Sequence, residues 1–152
     1  MIVVMPSLTR AEATARAATV DVREYEVDLD VTADGDTFRC RTVVRFGARP
    51  GSSTFLEFAP AAIESMTLNG VAVEASAATG ERLELAGLAA DNELVVSAEM
   101  RYSNTGEGLH RYVDPQDGST YLYQHMFINN AGRILPSFDQ PDMKASFKVS
   151  VT

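Results

Sequence analysis

Early in the chain, hydrophobic and polar positions follow a helical period. Thr9 and Glu12 have capping-box spacing, in which a hydroxyl satisfies an orphan backbone N–H and a carboxylate reaches back, and Ala11, Ala13, Ala15, Ala17 and Ala18 favour helix. A short helix is expected over residues 9–18. Beyond it the period becomes two. Tyr25, Val27, Leu29 and Val31 alternate with Glu24, Glu26, Asp28 and Asp30, and Phe38, Cys40, Thr42, Val44 and Phe46 alternate with Arg39, Arg41 and Arg45. Ala33-Asp34-Gly35-Asp36 supplies the turn of a hairpin whose polar faces carry opposite charge, each cross-strand pair contributing about 0.2–1 kcal/mol. Further strands are expected over 54–58, 63–68, 71–73, 82–86, 93–102 and 119–128, and at Phe147, Val149 and Val151. Asn69-Gly70 marks a tight hairpin turn. Residues 103–118 read as a Gly-containing loop. Many short strands and one helix predict an all-β, two-sheet sandwich-like domain filling residues 1–152.

Charge narrows the partners. Thirteen Lys and Arg against 21 Asp and Glu give −8, which opposes capture of phosphate backbones and anionic lipid, so neither nucleic acid nor membrane is an expected partner. The apolar start Met1-Ile2-Val3-Val4-Met5-Pro6 is far shorter than the ~20 residues of a spanning helix and has neither a basic n-region nor a cleavage site, which places the protein in the cytoplasm. Cys40, the single cysteine, is expected to be half-buried and inert. With only His110 and His125 beside it, a zinc site of the common nitrogen and sulfur type is not expected. His-Glu-x-x-His, Cys-x-x-Cys, phosphate-cradling glycine loops and Gly-x-Ser-x-Gly are all absent from the sequence, and no cofactor is expected.

The stretch Tyr102-Ser103-Asn104-Thr105-Gly106-Glu107-Gly108-Leu109-His110-Arg111-Tyr112-Val113-Asp114-Pro115 is followed by Tyr121-Leu122-Tyr123 and by Phe138-Asp139-Gln140-Pro141-Asp142-Met143-Lys144-Ala145. With Ser7-Leu8-Thr9-Arg10-Ala11-Glu12-Ala13 and Leu68-Asn69-Gly70, these segments closely resemble the N-terminal domain of M1-family zinc aminopeptidases of the aminopeptidase N type, in its actinobacterial branch. The resemblance runs in order over nearly the whole chain and implies a saddle-like all-β domain, shortened at its C-terminal end. The zinc-binding helix motif and the Gly-Ala-Met-Glu-Asn substrate loop of that family belong to a following catalytic domain and do not occur here. Zinc-dependent amide hydrolysis by this chain alone is therefore not expected.

Where the family follows Tyr-Leu-Tyr with Thr-Gln-Phe-Glu, whose Gln and Glu help hold the substrate's free amine, this sequence has Gln124-His125-Met126-Phe127. Ungapped, His125 takes the place of the Gln and Phe127 that of the Glu. A one-residue shift brings Gln124 onto the Gln position but still supplies no Glu. Ile128-Asn129-Asn130-Ala131-Gly132 departs from the family as well, whereas Arg133 and Asp139-Gln140-Pro141-Asp142 return to it.

At period two, Tyr121, Tyr123, His125 and Phe127 share one strand face, with Gln124, Met126 and Ile128 on the other. That face is either an aromatic core surface holding one satisfied imidazole or an apolar pocket for a hydrophobic small molecule. In the pocket, His125 would transfer protons with Tyr123 beside it, Tyr121, Gln124 and Phe127 would contact the ligand, and Glu107 and Arg111 would reach the rim from the preceding loop. Two functions follow. One is a stand-alone, non-peptidase relative that binds such a ligand and catalyses a metal-free isomerisation or cyclisation, its natural-looking Met1 and early end in keeping with a complete chain. The other is a non-catalytic, substrate-anchoring N-terminal domain cut from a full-length M1 aminopeptidase. An uncovered sheet edge or apolar face in a shortened domain leads to an expected homodimer.

Overall fold

The computed structural model of the chain describes residues 7–152, and the apolar start Met1 to Pro6 lies outside the described residues. Helix α1 (Arg10–Ala17) is followed by β1 (Val20–Asp30), β2 (Thr37–Ala48), β3 (Thr54–Glu57), β4 (Ala62–Leu68), β5 (Val71–Ala72), β6 (Ala78–Thr79), β7 (Arg82–Leu85), β8 (Asp91–Arg101), β9 (Gly108–Val113), β10 (Thr120–His125) and β11 (Ser146–Val151). A six-stranded sheet has the order β11-β1-β2-β8-β4-β5, a three-stranded sheet the order β3-β7-β6, and β9 and β10 pair as a separate ribbon. This is the all-β architecture that the alternation predicts.

Alternation sets which side of the large sheet is dry. Val22, Val27 and Leu29 of β1, Phe38, Val44 and Phe46 of β2, and Leu94, Val96 and Met100 of β8 are buried with Leu56, Leu83 and Leu85 of the small sheet in one core. The opposite face carries the charges of the predicted hairpin in the predicted antiparallel sense, with Asp28 opposite Arg41 and Asp30 opposite Arg39. Arg45 reaches Glu24 at 2.9 Å, Glu93 at 3.0 Å and Glu26 at 3.3 Å, pulling the Glu26 carboxyl below its usual range. Cys40 lies deeper than expected. It is buried on the core side, where desolvation pushes its thiol up to about 11, so it is inert as expected.

The helix begins with the expected capping box, Thr9 Oγ1 accepting from the Glu12 N–H and the Glu12 carboxylate accepting from the Thr9 N–H. Arg82, donating to Glu12 at 2.6 Å, is the main reason that carboxyl is held down to about 2. Eight residues are too few to be helical alone, and tertiary anchoring decides the matter. Arg16, buried at the last turn, donates through Nη1 to both oxygens of Glu57 at 3.0 and 2.9 Å, and through Nε to Gln140 Oε1 at 3.1 Å. Its guanidinium also lies 4.8 Å from the Phe55 ring and 5.7 Å from Phe138, a cation–π setting for the Nη2 that has no hydrogen-bond partner. Glu57 in turn accepts from the Asp139 N–H at 3.0 Å, and the Tyr25 hydroxyl accepts from the Phe138 N–H at 3.0 Å.

The strands differ from the expected pattern in three places. Residues 108–113, read as loop, form β9, because the Gly108 conformation (φ +70°) opens a strand whose Leu109 is buried while its later residues face outward. The strand expected over 119–128 ends at His125, so Met126, Phe127 and Ile128 lie beyond it. The two-residue strand β6 carries too little pattern to be read from sequence.

Removing one member of a buried ion pair leaves the other charge desolvated and unpaired. Glu57→Gln or Arg16→Met should each lower unfolding free energy by about 3–5 kcal/mol in urea titrations, with the double variant losing less than the sum. Single losses under about 1 kcal/mol would show that the pair does not fasten the helix.

Candidate functional site

β9 and β10 are antiparallel, with Tyr121 opposite Tyr112, Tyr123 opposite His110, and His125 opposite Gly108. Directly opposed residues project to the same side of a ribbon, so Tyr112 and His110 join Tyr121, Tyr123 and His125 on one face. The His110 and Tyr123 rings stack at 4.5 Å, and His125 meets Phe127 edge-on at 4.2 Å. His110 Nδ1 accepts from the Gly106 N–H at 3.0 Å, which fixes the ring. At the far end Asp117 accepts from the Ser119 N–H at 2.7 Å and the Tyr121 hydroxyl at 3.2 Å, and these hydrogen bonds hold its carboxyl below the usual range.

This face is neither core nor closed pocket. Tyr121 is 50% exposed, Tyr123 51% and Phe127 66%, and His125 is exposed too. A two-stranded ribbon whose neighbours pair elsewhere leaves period-two alternation with no inside, which is why the aromatic core surface does not form. Gln124, opposite Leu109, and Arg111, opposite Leu122, lie on the other face, away from His125. Arg111 lies 4.0 Å from Asp34, and Glu107 lies 3.7 Å from Arg133. The structure therefore brings together Tyr121, Tyr123, His125 and Phe127 and sets Gln124 and Arg111 on the opposite face, while Glu107 is held beside Arg133. It adds His110 and Tyr112, whose period-two spacing within 108–113 was the available signal. Gly108 is required where β9 meets the rest of the domain, because a Cβ there would approach the Arg133 side chain to 3.3 Å as well as strain its positive φ.

Among the described residues no group of three or more His, Cys, Asp and Glu is arranged to hold a metal ion, and no helix is long and apolar enough to cross a membrane. What the ribbon offers chemically is flat aromatic surface with two imidazoles, suited to packing on an apolar or planar group.

No family model matches the chain. The fold superposes on yeast LTA4 hydrolase in complex with bestatin with a TM-score of 0.70 at 15% identity, over 89% of this chain and 23% of that one. It superposes on a point mutant of the M1 zinc metallopeptidase from Deinococcus radiodurans with a TM-score of 0.63 at 20% identity, over 88% and 32% respectively. In sequence it is 43% identical over 150 residues to an aminopeptidase N from Streptomyces lividans. The chain has the fold of the M1 N-terminal domain and is similar in sequence to that aminopeptidase N. That alignment takes in 95% of this chain but only 18% of the Streptomyces protein.

Because the aromatic face of the ribbon is open, His125→Ala should leave the unfolding free energy within about 0.5 kcal/mol of the parent, and Phe127→Glu should be tolerated equally. Urea denaturation followed by circular dichroism measures both. A loss of several kcal/mol in either variant would return the face to a packed structural role.

Proposed function

We propose that the chain acts as the non-catalytic N-terminal domain of an M1-type aminopeptidase, and that its β9–β10 ribbon forms one wall of the ligand cleft shared with a zinc-bearing domain. The observation that carries this is the open aromatic face, which gathers the Tyr-Leu-Tyr strand and its departures from the family, His125 and Phe127, on a surface that nothing among the described residues covers. The 43% identity to an aminopeptidase N over 95% of the chain supports it. With an aromatic ring where the family has a carboxylate, the wall favours a hydrophobic small molecule or side chain over a free ammonium group.

Metal-free isomerisation or cyclisation, with His125 and Tyr123 moving protons, is the second function. The positions of Tyr123 and His125 on one side, with His110 stacked on the tyrosine, favour it. Such chemistry works best where water is excluded, and the open ribbon does not exclude it, so the domain role stands first. A single buried thiol is in keeping with the cytoplasm.

Phe147, Val149 and Val151 on the edge strand β11 are 58%, 57% and 63% exposed. In register they neighbour Tyr25, Val27 and Leu29, the core-facing residues of β1. The isolated chain covers this apolar strip with a second copy, making the homodimer that sedimentation at tens of micromolar should reveal; a strict monomer would count against it.

The functional test is a chimera in which this chain replaces the matching portion of the Streptomyces lividans aminopeptidase N. It should hydrolyse aminoacyl amides with a raised KM, and His125→Gln with Phe127→Glu should lower that KM roughly tenfold with a smaller change in kcat. The chain alone should be inactive. A KM indifferent to the two substitutions, or a chimera that stays inactive with them, would overturn the assignment of the ribbon to the cleft.

A further inference from the structure

Away from the ribbon, a half-open cleft of about 300 Å³ lies between the two sheets' edges, lined by Phe58, Pro60, Ile63, Ala78, Glu81 and Arg101 among others. Its volume stands at the small end of the roughly 300–1,000 Å³ that ligand sites occupy, which restricts it to a molecule of few heavy atoms.

Glu81 is unusual in two independent ways. It occupies the second position of the tight Gly80–Glu81 turn joining β6 to β7, at φ +72°, a conformation that glycine and asparagine adopt more readily than glutamate. Its Oε2 is also buried with no hydrogen-bond partner. The turn is held against the cleft by the Phe58 N–H, which donates to the Glu81 carbonyl at 2.9 Å. Burial raises the Glu81 carboxyl pKa, with Arg133 acting against that rise. Arg101, at the end of β8, lines the same cleft and makes no salt bridge among the described residues. Two residues of opposite charge therefore line one small cleft with no salt bridge between them among the described residues, beside an apolar surface supplied by Phe58, Pro60 and Ile63. A carboxylate left desolvated and unpaired costs free energy that a complementary cation would recover.

We infer that this cleft binds a free α-amino acid with an aliphatic side chain, its ammonium on Glu81, its carboxylate on Arg101 and its side chain against Phe58 and Ile63. The zwitterion supplies in one molecule the two charges that the cleft lacks. The inference rests on the cleft alone and is independent of the role given to the ribbon.

The test is titration of the full chain with L-leucine, followed by amide chemical shifts. Leucine should bind with a Kd in the millimolar range and shift the amides of Phe58, Gly80 and Glu81. The analogue 4-methylpentanoate lacks the ammonium, isoamylamine lacks the carboxylate and glycine lacks the side chain; each should bind at least about tenfold more weakly. Glu81→Gln and Arg101→Gln should each weaken leucine by a similar factor with the rest of the spectrum unchanged. If Glu81→Gln fails to fold, Arg101→Gln and the analogues decide the matter. Unsaturated shifts up to about 50 mM leucine, shifts centred elsewhere, or analogues that bind as well as leucine would overturn the inference.

Discussion

The guanidinium of Arg16 and the carboxylate of Glu57 are buried together, 2.9 Å apart, where three parts of the chain meet. Arg16 comes from a helix too short to persist alone, and Glu57 from the first strand of the small sheet. The third part is residues 138–140, tied in through Gln140 Oε1 and the Asp139 N–H. Neither charge is tolerable there without the other, so the helix, the small sheet and this turn must arrive together. Phe138 extends the constraint to the large sheet, since its backbone N–H reaches the Tyr25 hydroxyl and its ring meets Phe46 edge-on at 5.4 Å. Desolvation pushes the Tyr25 phenol up to about 12, as expected for a hydroxyl built into the core.

This anchoring fixes what remains open. Residues 131–140 turn back from the end of the ribbon to the Arg16 cluster, with Asp139 accepting from the Ala131 N–H at 3.2 Å. Ile134 is buried in the core below Gly108. The ribbon is thus held at the base of β9, through Leu109 and Gly108, while β10 remains exposed along its length. A rigid base with an uncovered aromatic face suits a surface that meets something else, because exposed apolar area contributes most when it is buried against a partner or ligand.

The fold was legible in the sequence wherever one side of a strand faces the core. The charge alternation of 24–46 gave the β1–β2 hairpin, and Asn69-Gly70 gave the turn between β4 and β5, both residues at the positive φ that such a turn requires. Legibility fails where burial does not follow the period. Gly108–Val113 begins buried and ends exposed, so its pattern is half a strand's; Tyr121 to Phe127 alternates without an inside, and its aromatics therefore read as either core or pocket lining. The aromatic set on β10 was visible from spacing, but His110 and Tyr112 needed the register of β9, and the separation of Arg111 and Gln124 from His125 needed the same pairing. Glu81 carried no signal at all, since its interest lies in a backbone conformation and a missing partner.

The role of the ribbon as a shared wall is tested most directly by adding the zinc-bearing portion of the Streptomyces lividans aminopeptidase N, expressed without its own N-terminal portion, to this chain labelled for chemical-shift mapping. The amides of Tyr121, Tyr123, His125 and Phe127 should shift or broaden. Shifts confined to other surfaces, with those four unmoved, would contradict it.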